Sequence, residues 1–178
     1  MENYKKNLEL LTKNHVYSKE MEHDACGVGL IASTEGKKSR AIVEYGIEAL
    51  KAVWHRGAVD ADGKTGDGAG IHVEIPKDFF IEKIQVTGHD YDNSEICVGM
   101  IFLPRNDYSA QESCKTIVES ELTKNNFSIY GWRQVPVNSK VLGEKAFQTM
   151  PEIIQVLFKP NDPNLLDKNL ERRIYAVS

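Results

Sequence analysis

The stretch Gly57-Ala58-Val59-Asp60-Ala61-Asp62-Gly63-Lys64-Thr65-Gly66-Asp67-Gly68-Ala69-Gly70 holds five glycines and three aspartates in fourteen residues. That composition suits neither a helix nor a strand, and predicts a loop with backbone freedom. Its flanks fix what kind of loop it is. Before it, Val43, Ile47, Leu50 and Trp54 recur at four- and three-residue steps, one face of a helix over 39–54 with Ser39 as N-cap and the apolar face in the core. After it, Ile71, Val73 and Ile75 alternate with His72 and Glu74, the pattern of a half-buried strand. A dinucleotide-binding glycine loop needs the opposite order, strand then helix, because the phosphate sits on the helix N-terminus. Gly66-x-Gly68-x-Gly70 has the look of a phosphate-cradling loop, but the helix before it and the strand after it argue against nucleotide binding.

The rest of the chain is rich in strand patterns. Residues 26–34 read as a buried strand, followed by turn chemistry at Glu35-Gly36-Lys37-Lys38. Further strands are expected over 96–103, 127–134, 153–158 and 172–177. Between the first two of these lies a helix with a capping box, Ser109-x-x-Glu112, and an apolar face of Cys114, Ile117, Val118 and Leu122. Shorter helices are expected over 144–150 and 164–172. Strands that often follow one another directly favour an α+β fold with antiparallel sheets over a doubly wound parallel sheet. The last expected strand runs to Ser178 with no turn behind it, as though the sequence stopped within a sheet.

Size and charge narrow the function. A chain of 178 residues fits one domain and can bury roughly 70 % of its unfolded surface. Its three cysteines, Cys26, Cys97 and Cys114, are widely spaced and form no C-x-x-C pair, which argues against a disulfide framework and a zinc site and fits a reducing cytoplasm. A formal charge of −4 gives no footprint for nucleic acid. No stretch approaches the ~20 apolar residues of a membrane span. Residues 1–25 are charged and polar, with Leu8, Leu10 and Leu11 the one apolar cluster, so they read as an amphipathic leader rather than a signal peptide.

Two further positions can carry chemistry. Cys26, in His23-Asp24-Ala25-Cys26-Gly27-Val28-Gly29-Leu30, reads either as a small buried hydrophobe or as a nucleophile awaiting exposure. Were it the first residue of a processed chain, its own α-amine, with a pKa of about 7.7–8.0, could take the thiol proton. His55 and Arg56 close the preceding helix, where cations satisfy the last carbonyls; alternatively Arg56 projects into a cleft and offers fixed donors to a substrate. The remaining histidines lack ligand spacing, and no metal is assigned.

In order along the chain, these words resemble the glutaminase domain at the start of the glutamate synthase large subunit. That domain is a class II glutamine amidotransferase of the N-terminal-nucleophile hydrolase type. The matching words are Asp24-Ala25-Cys26-Gly27-Val28-Gly29, then Trp54-His55-Arg56-Gly57-Ala58 with Ala61-Asp62 and Thr65–Ile71, then Gly131-Trp132-Arg133-x-Val135-Pro136-Val137. Leu142-Gly143, Ala146, Pro151-x-Ile153-x-Gln155 and Glu171–Tyr175 follow.

The resemblance implies an αββα four-layer sandwich, a leader over 1–25 and an amidotransferase portion over 26–178. It implies that Cys26, once exposed, attacks the amide carbon of L-glutamine, with Arg56 and Gly27 beside it and Asp67 supporting the same region. It places the substrate-carboxylate arginine and the Asn-Gly oxyanion donors in later words, resembling R-F-S-T-N and H-N-G-E, which this chain does not contain. For the full-length enzyme it implies FMN, an iron–sulfur cluster, the remaining synthase domains of the same chain, and a small NADPH-oxidising subunit as a further partner. It fits a cytoplasmic or plastid location. The rival expectation is a catalytically inactive fragment or pseudo-enzyme that acts as a binding module with Cys26 buried.

Overall fold

In this computed structural model the described residues are 6, 9–10, 12–13, 27–54, 57–162, 165 and 168–177. Cys26, His55 and Arg56, and most of residues 1–25, therefore lie outside the described residues. The chain divides into two compact units, one of Met1–Ala58 with Asp67–Ile71 and one of Val59–Gly66 with His72–Ser178.

The first unit is built on helix α1, Arg40–Ala52. Ser39 caps it as its sequence predicts, the Oγ accepting the Ala41 amide at 3.1 Å, and Lys51 stands in its last turn against the negative end of the dipole. Val43, Ile47 and Leu50 are half-buried, no residue of the helix is buried, and Trp54 is 77 % exposed, so the face expected in the core is only partly covered among the described residues. Residues 27–33 are not a strand. They make no ladder, and Val28 and Leu30 are 91 % and 89 % exposed, because an apolar run becomes a strand only when a partner accepts its backbone hydrogen bonds. Residues 71–75 likewise form no ladder, despite their alternation.

The second unit contains α2 (Lys77–Val86), β1 (Cys97–Leu103), α3 (Tyr108–Lys124), β2 (Phe127–Gln134), a 3-10 turn (Ser139–Val141), α4 (Glu144–Thr149), β3 (Glu152–Pro160) and α5 (Lys168–Val177). The three strands form one sheet in the order β1-β3-β2, antiparallel throughout. The last strand in sequence is thus the central one, and it is the most buried of the three, as a strand covered on both faces must be. Val156 and Phe158 join Cys97, Phe127, Leu122, Leu165 and Leu170 in one cluster under α3 and α5. Leu157, pointing the other way by strand alternation, joins Phe80 and Ile84 of α2 with Ile96 and Tyr130. The expected mixture of helices with an antiparallel sheet is what the structure has.

Further expectations change in this unit. Residues 172–177 are helical: Leu170, Ile174 and Val177 recur at helical steps and meet the α3 side of the core, which overrides the β-branched look of the segment. The α3 cap is Asp107, whose Oδ1 accepts the Ala110 amide at 2.9 Å, rather than the Ser109-x-x-Glu112 box. The helix starts before Ser109, and Glu112 pairs with Lys115 instead. On the same helix Ile117 is 63 % exposed, whereas Leu122 is buried and Val118 packs against the core. Helix α2 was not foreseen, although Pro76 at its N-cap, Asp78 in its first turn and the Phe80/Ile84 pair are helix-start chemistry.

Glycine is required at Gly131. There β2 bulges between Ile129 and Gly131, φ is +148°, and a Cβ would lie 2.8 Å from Thr87 Cγ2. Beyond the bulge, Arg133 faces Gln155 in register and its Nη1 donates to Gln155 Oε1 at 2.5 Å. Two of the words read in the sequence are therefore one cross-strand pair.

Candidate functional site

The glycine- and aspartate-rich segment is the loop its composition predicts. The chain turns at Gly57, whose amide donates to Trp54 O at 3.0 Å. Asp67 then closes the stem of the loop: its Oδ2 accepts the Ala58 amide at 2.8 Å, and its own amide donates to Ala58 O at 3.2 Å. Beyond this stem Val59 and Gly66 form an isolated antiparallel bridge, and the Asp60 amide donates to Thr65 O at 2.7 Å. Gly63, at φ +67°, makes the left-handed step at the tip.

Asp62 organises that tip. Its carboxylate accepts the Thr65 hydroxyl at 2.6 Å, the Thr65 amide at 2.7 Å and the Lys64 amide at 2.9 Å. The Thr65 hydroxyl and amide, then the Lys64 amide, hold its carboxyl down from 3.8 to about 2, with a smaller contribution from the Glu144 amide at the start of α4. Gly143, at the N-cap of α4, meets the same residues. A Cβ there would collide with Thr65 Oγ1 and the Asp62 carboxylate, and would come 2.6 Å from the Thr65 amide nitrogen. Lys145, the second residue of α4, donates to Asp60 Oδ2 at 2.5 Å. Asp60, Asp62 and Thr65 thus bolt the loop tip to the first turn of α4 within the second unit.

Of the residues singled out by sequence, Asp67 and Gly27 are described and both are exposed. Asp67 has a defined task in closing the loop. Gly27 begins the described stretch that follows Cys26. The structural partners that sequence reasoning did not find are Asp62 with Gly143, and Asp60 with Lys145. The signals were present as Asp62-x-x-Thr65, a spacing that lets a carboxylate cap the turn behind it, and as a glycine immediately before a helix.

Elsewhere, a surface cleft of about 410 Å³ opens beside α3 and β2, lined among others by Arg105, Lys115, Trp132 and Glu152. Its lining offers the Tyr108 phenol but no thiol or aliphatic hydroxyl, so it is not a place for acyl transfer through such a nucleophile. Cys97 is buried in the core and its thiol is pushed up to about 12 by that burial, which makes it inert. Among the described residues no group of three or more His, Cys, Asp or Glu side chains gathers as metal ligands. No helix among them is long and apolar enough to cross a membrane.

Comparison with known proteins adds a lineage to this geometry. The model of a family described as glutamine amidotransferases class-II matches residues 26–178. The glutamate synthase (NADPH) large chain of Azospirillum brasilense is 52 % identical over 98 % of this chain and 11 % of its own length. Ferredoxin-dependent glutamate synthase 1, chloroplastic/mitochondrial, of Arabidopsis thaliana is 39 % identical over 86 % of the chain and 9 % of its own length. The glutamate synthase (NADH) of Saccharomyces cerevisiae is 38 % identical over 93 % of the chain and 8 % of its own length. The chain thus spans about a tenth of the length of these curated relatives.

Proposed function

The chain belongs to the class II glutamine amidotransferases, and from that premise we propose that it forms the first part of the glutaminase domain of a glutamate synthase large chain. The observation that carries this reading is the starting point of the family match. It begins at Cys26, the residue that local chemistry singles out, and runs on through Ser178.

In this reading residues 1–25 are a leader and its removal frees the Cys26 amine. With a pKa of about 7.7–8.0, that amine is partly unprotonated near neutral pH and takes the thiol proton. The thiolate adds to the amide carbon of L-glutamine, the protonated amide nitrogen leaves as ammonia, and a thioester remains. Water then adds to the thioester, releasing glutamate and restoring the thiol. Arg56 offers its planar donors to the bound glutamine. Gly27, without a side chain, lets substrate approach the backbone beside the nucleophile. Asp67 supports both by holding the stem of the loop that follows Arg56, through its bond to Ala58.

The finer fold belongs to the same proposal. A four-layer αββα sandwich would bring a second antiparallel sheet against the β1-β3-β2 sheet. The apolar surface left on the α2 face supports it, where Met100 and Phe102 are 46 % and 64 % exposed on the same side of β1 as Val98.

In the full-length protein the ammonia would be transferred to 2-oxoglutarate, with FMN and an iron–sulfur cluster supplying electrons. The described residues do not fit the cluster: their free thiols are Cys97, buried, and Cys114, which are too few to hold it. Those groups would be held by the remaining synthase domains, with a small NADPH-oxidising subunit as partner. A cytoplasmic or plastid setting suits this chemistry. The test is release of ammonia from glutamine by the full-length protein. Cys26→Ala should abolish it while leaving the protein folded, and full activity in that variant would overturn the assignment.

A further inference from the structure

We propose that Asp62 is a positioning residue for the glutaminase reaction, latching the Ala58–Asp67 loop to the first turn of α4 so that the foot of the loop is held in place. The inference rests on the function proposed above, and it concerns a residue with no chemistry of its own to perform. Three donors from within the loop converge on the Asp62 carboxylate. Gly143 presents bare backbone against the same spot, and Lys145 pins the neighbouring Asp60.

Such a density of polar bonds on an exposed loop is more than solubility asks for. Exposed loops are ordinarily the most mobile part of a fold. The bonds continue down the loop in sequence: Asp60 to Thr65, Val59 opposite Gly66, and Ala58 to Asp67. This ladder passes order from the latched tip to the stem. Arg56 stands two residues before Ala58 in the chain. A loose tip therefore lets the stem open at Ala58, two positions along the chain from the arginine to which the proposed function gives the substrate. Small displacements of a substrate-positioning group are costly to reactivity, and here they fall on the binding of glutamine.

The experiment compares Asp62→Ala, Asp62→Asn and Gly143→Ala in the full-length protein. Steady-state glutaminase kinetics are read alongside amide hydrogen exchange over the loop. Asparagine can still accept the Lys64 and Thr65 amides, and its own amide can donate to the Thr65 hydroxyl, so it should retain most of the latch. We expect Asp62→Ala and Gly143→Ala to raise KM for glutamine about tenfold, with kcat within about threefold of the parent, and Asp62→Asn to remain close to the parent. The Ala58 amide should exchange faster in the first two variants. A fall in kcat at unchanged KM would mean only a lost fraction of folded enzyme, and would overturn the proposal, as would unchanged KM and kcat. Should the parent protein release no ammonia from glutamine, the function proposed above fails. Exchange at Ala58 then decides the latch alone: faster exchange in Asp62→Ala upholds it, unchanged exchange overturns it.

Discussion

Gly143 stands so close to Thr65 that a Cβ on it would lie 2.6 Å from the Thr65 amide nitrogen. Backbone cannot retreat as the end of a flexible side chain can, so Gly143→Ala should cost about 1–3 kcal/mol of stability, as overpacking does. Thr65→Ala removes the hydroxyl from the contact but leaves the amide nitrogen in place. The double variant should therefore recover only part of the loss, as read by denaturant midpoints.

Acid should weaken the hydrogen bonds that Asp62 accepts and so lower stability. The Asp62 carboxyl is held down from 3.8 to about 2 by Thr65 and Lys64 donors, so its folded pKa lies below its unfolded value. Its contribution is fully present above about pH 4 and is lost as pH falls through about 2. Asp92 acts in the same direction: Lys159, then Ser94, hold its carboxyl well below the usual range. Urea midpoints measured from pH 5 down to pH 2 should fall more steeply in the parent than in Asp62→Asn. Parallel curves would contradict this.

Leu157 is fully buried in the central strand. Leu157→Ala should cost about 2–5 kcal/mol, the range for a core leucine whose cavity cannot collapse. Met100→Ala, on the half-exposed part of the same face, should cost far less. Thermal unfolding of the pair checks the contrast.

At the β2 bulge, Gly131→Ala meets both a positive φ and the Thr87 methyl. A loss of about 1–3 kcal/mol is expected. Thr87→Ser keeps the hydroxyl that donates to Ile84 O and removes the methyl, so it should return part of that loss and leave the backbone strain.

The sheet was legible because β1, β2 and β3 carry dense apolar and β-branched residues that pair with one another, and the sequence placed all three within a few residues. Alternation misled at 71–75, and an apolar run misled at 27–33, because a side-chain pattern says which faces are apolar but not whether a partner strand is present. At 172–177 the helical spacing of Leu170, Ile174 and Val177 was the better signal, and it became decisive only with the α3 surface to pack on. The loop was legible from its glycines, but its anchor was not. Asp62 and Gly143 meet across a large sequence separation, and neither residue announces the other. Cys26 and Arg56 were legible as words in a family order, and their roles stand as proposals.

The central claim is that Cys26 is the nucleophile, and covalent capture tests it most directly. Full-length protein is treated with a glutamine-analogue electrophile and its peptides are mapped by mass. The account predicts one adduct, on a peptide whose first residue is Cys26, blocked by excess glutamine. An adduct elsewhere, or an unmodified Cys26 still joined to Ala25, would contradict it.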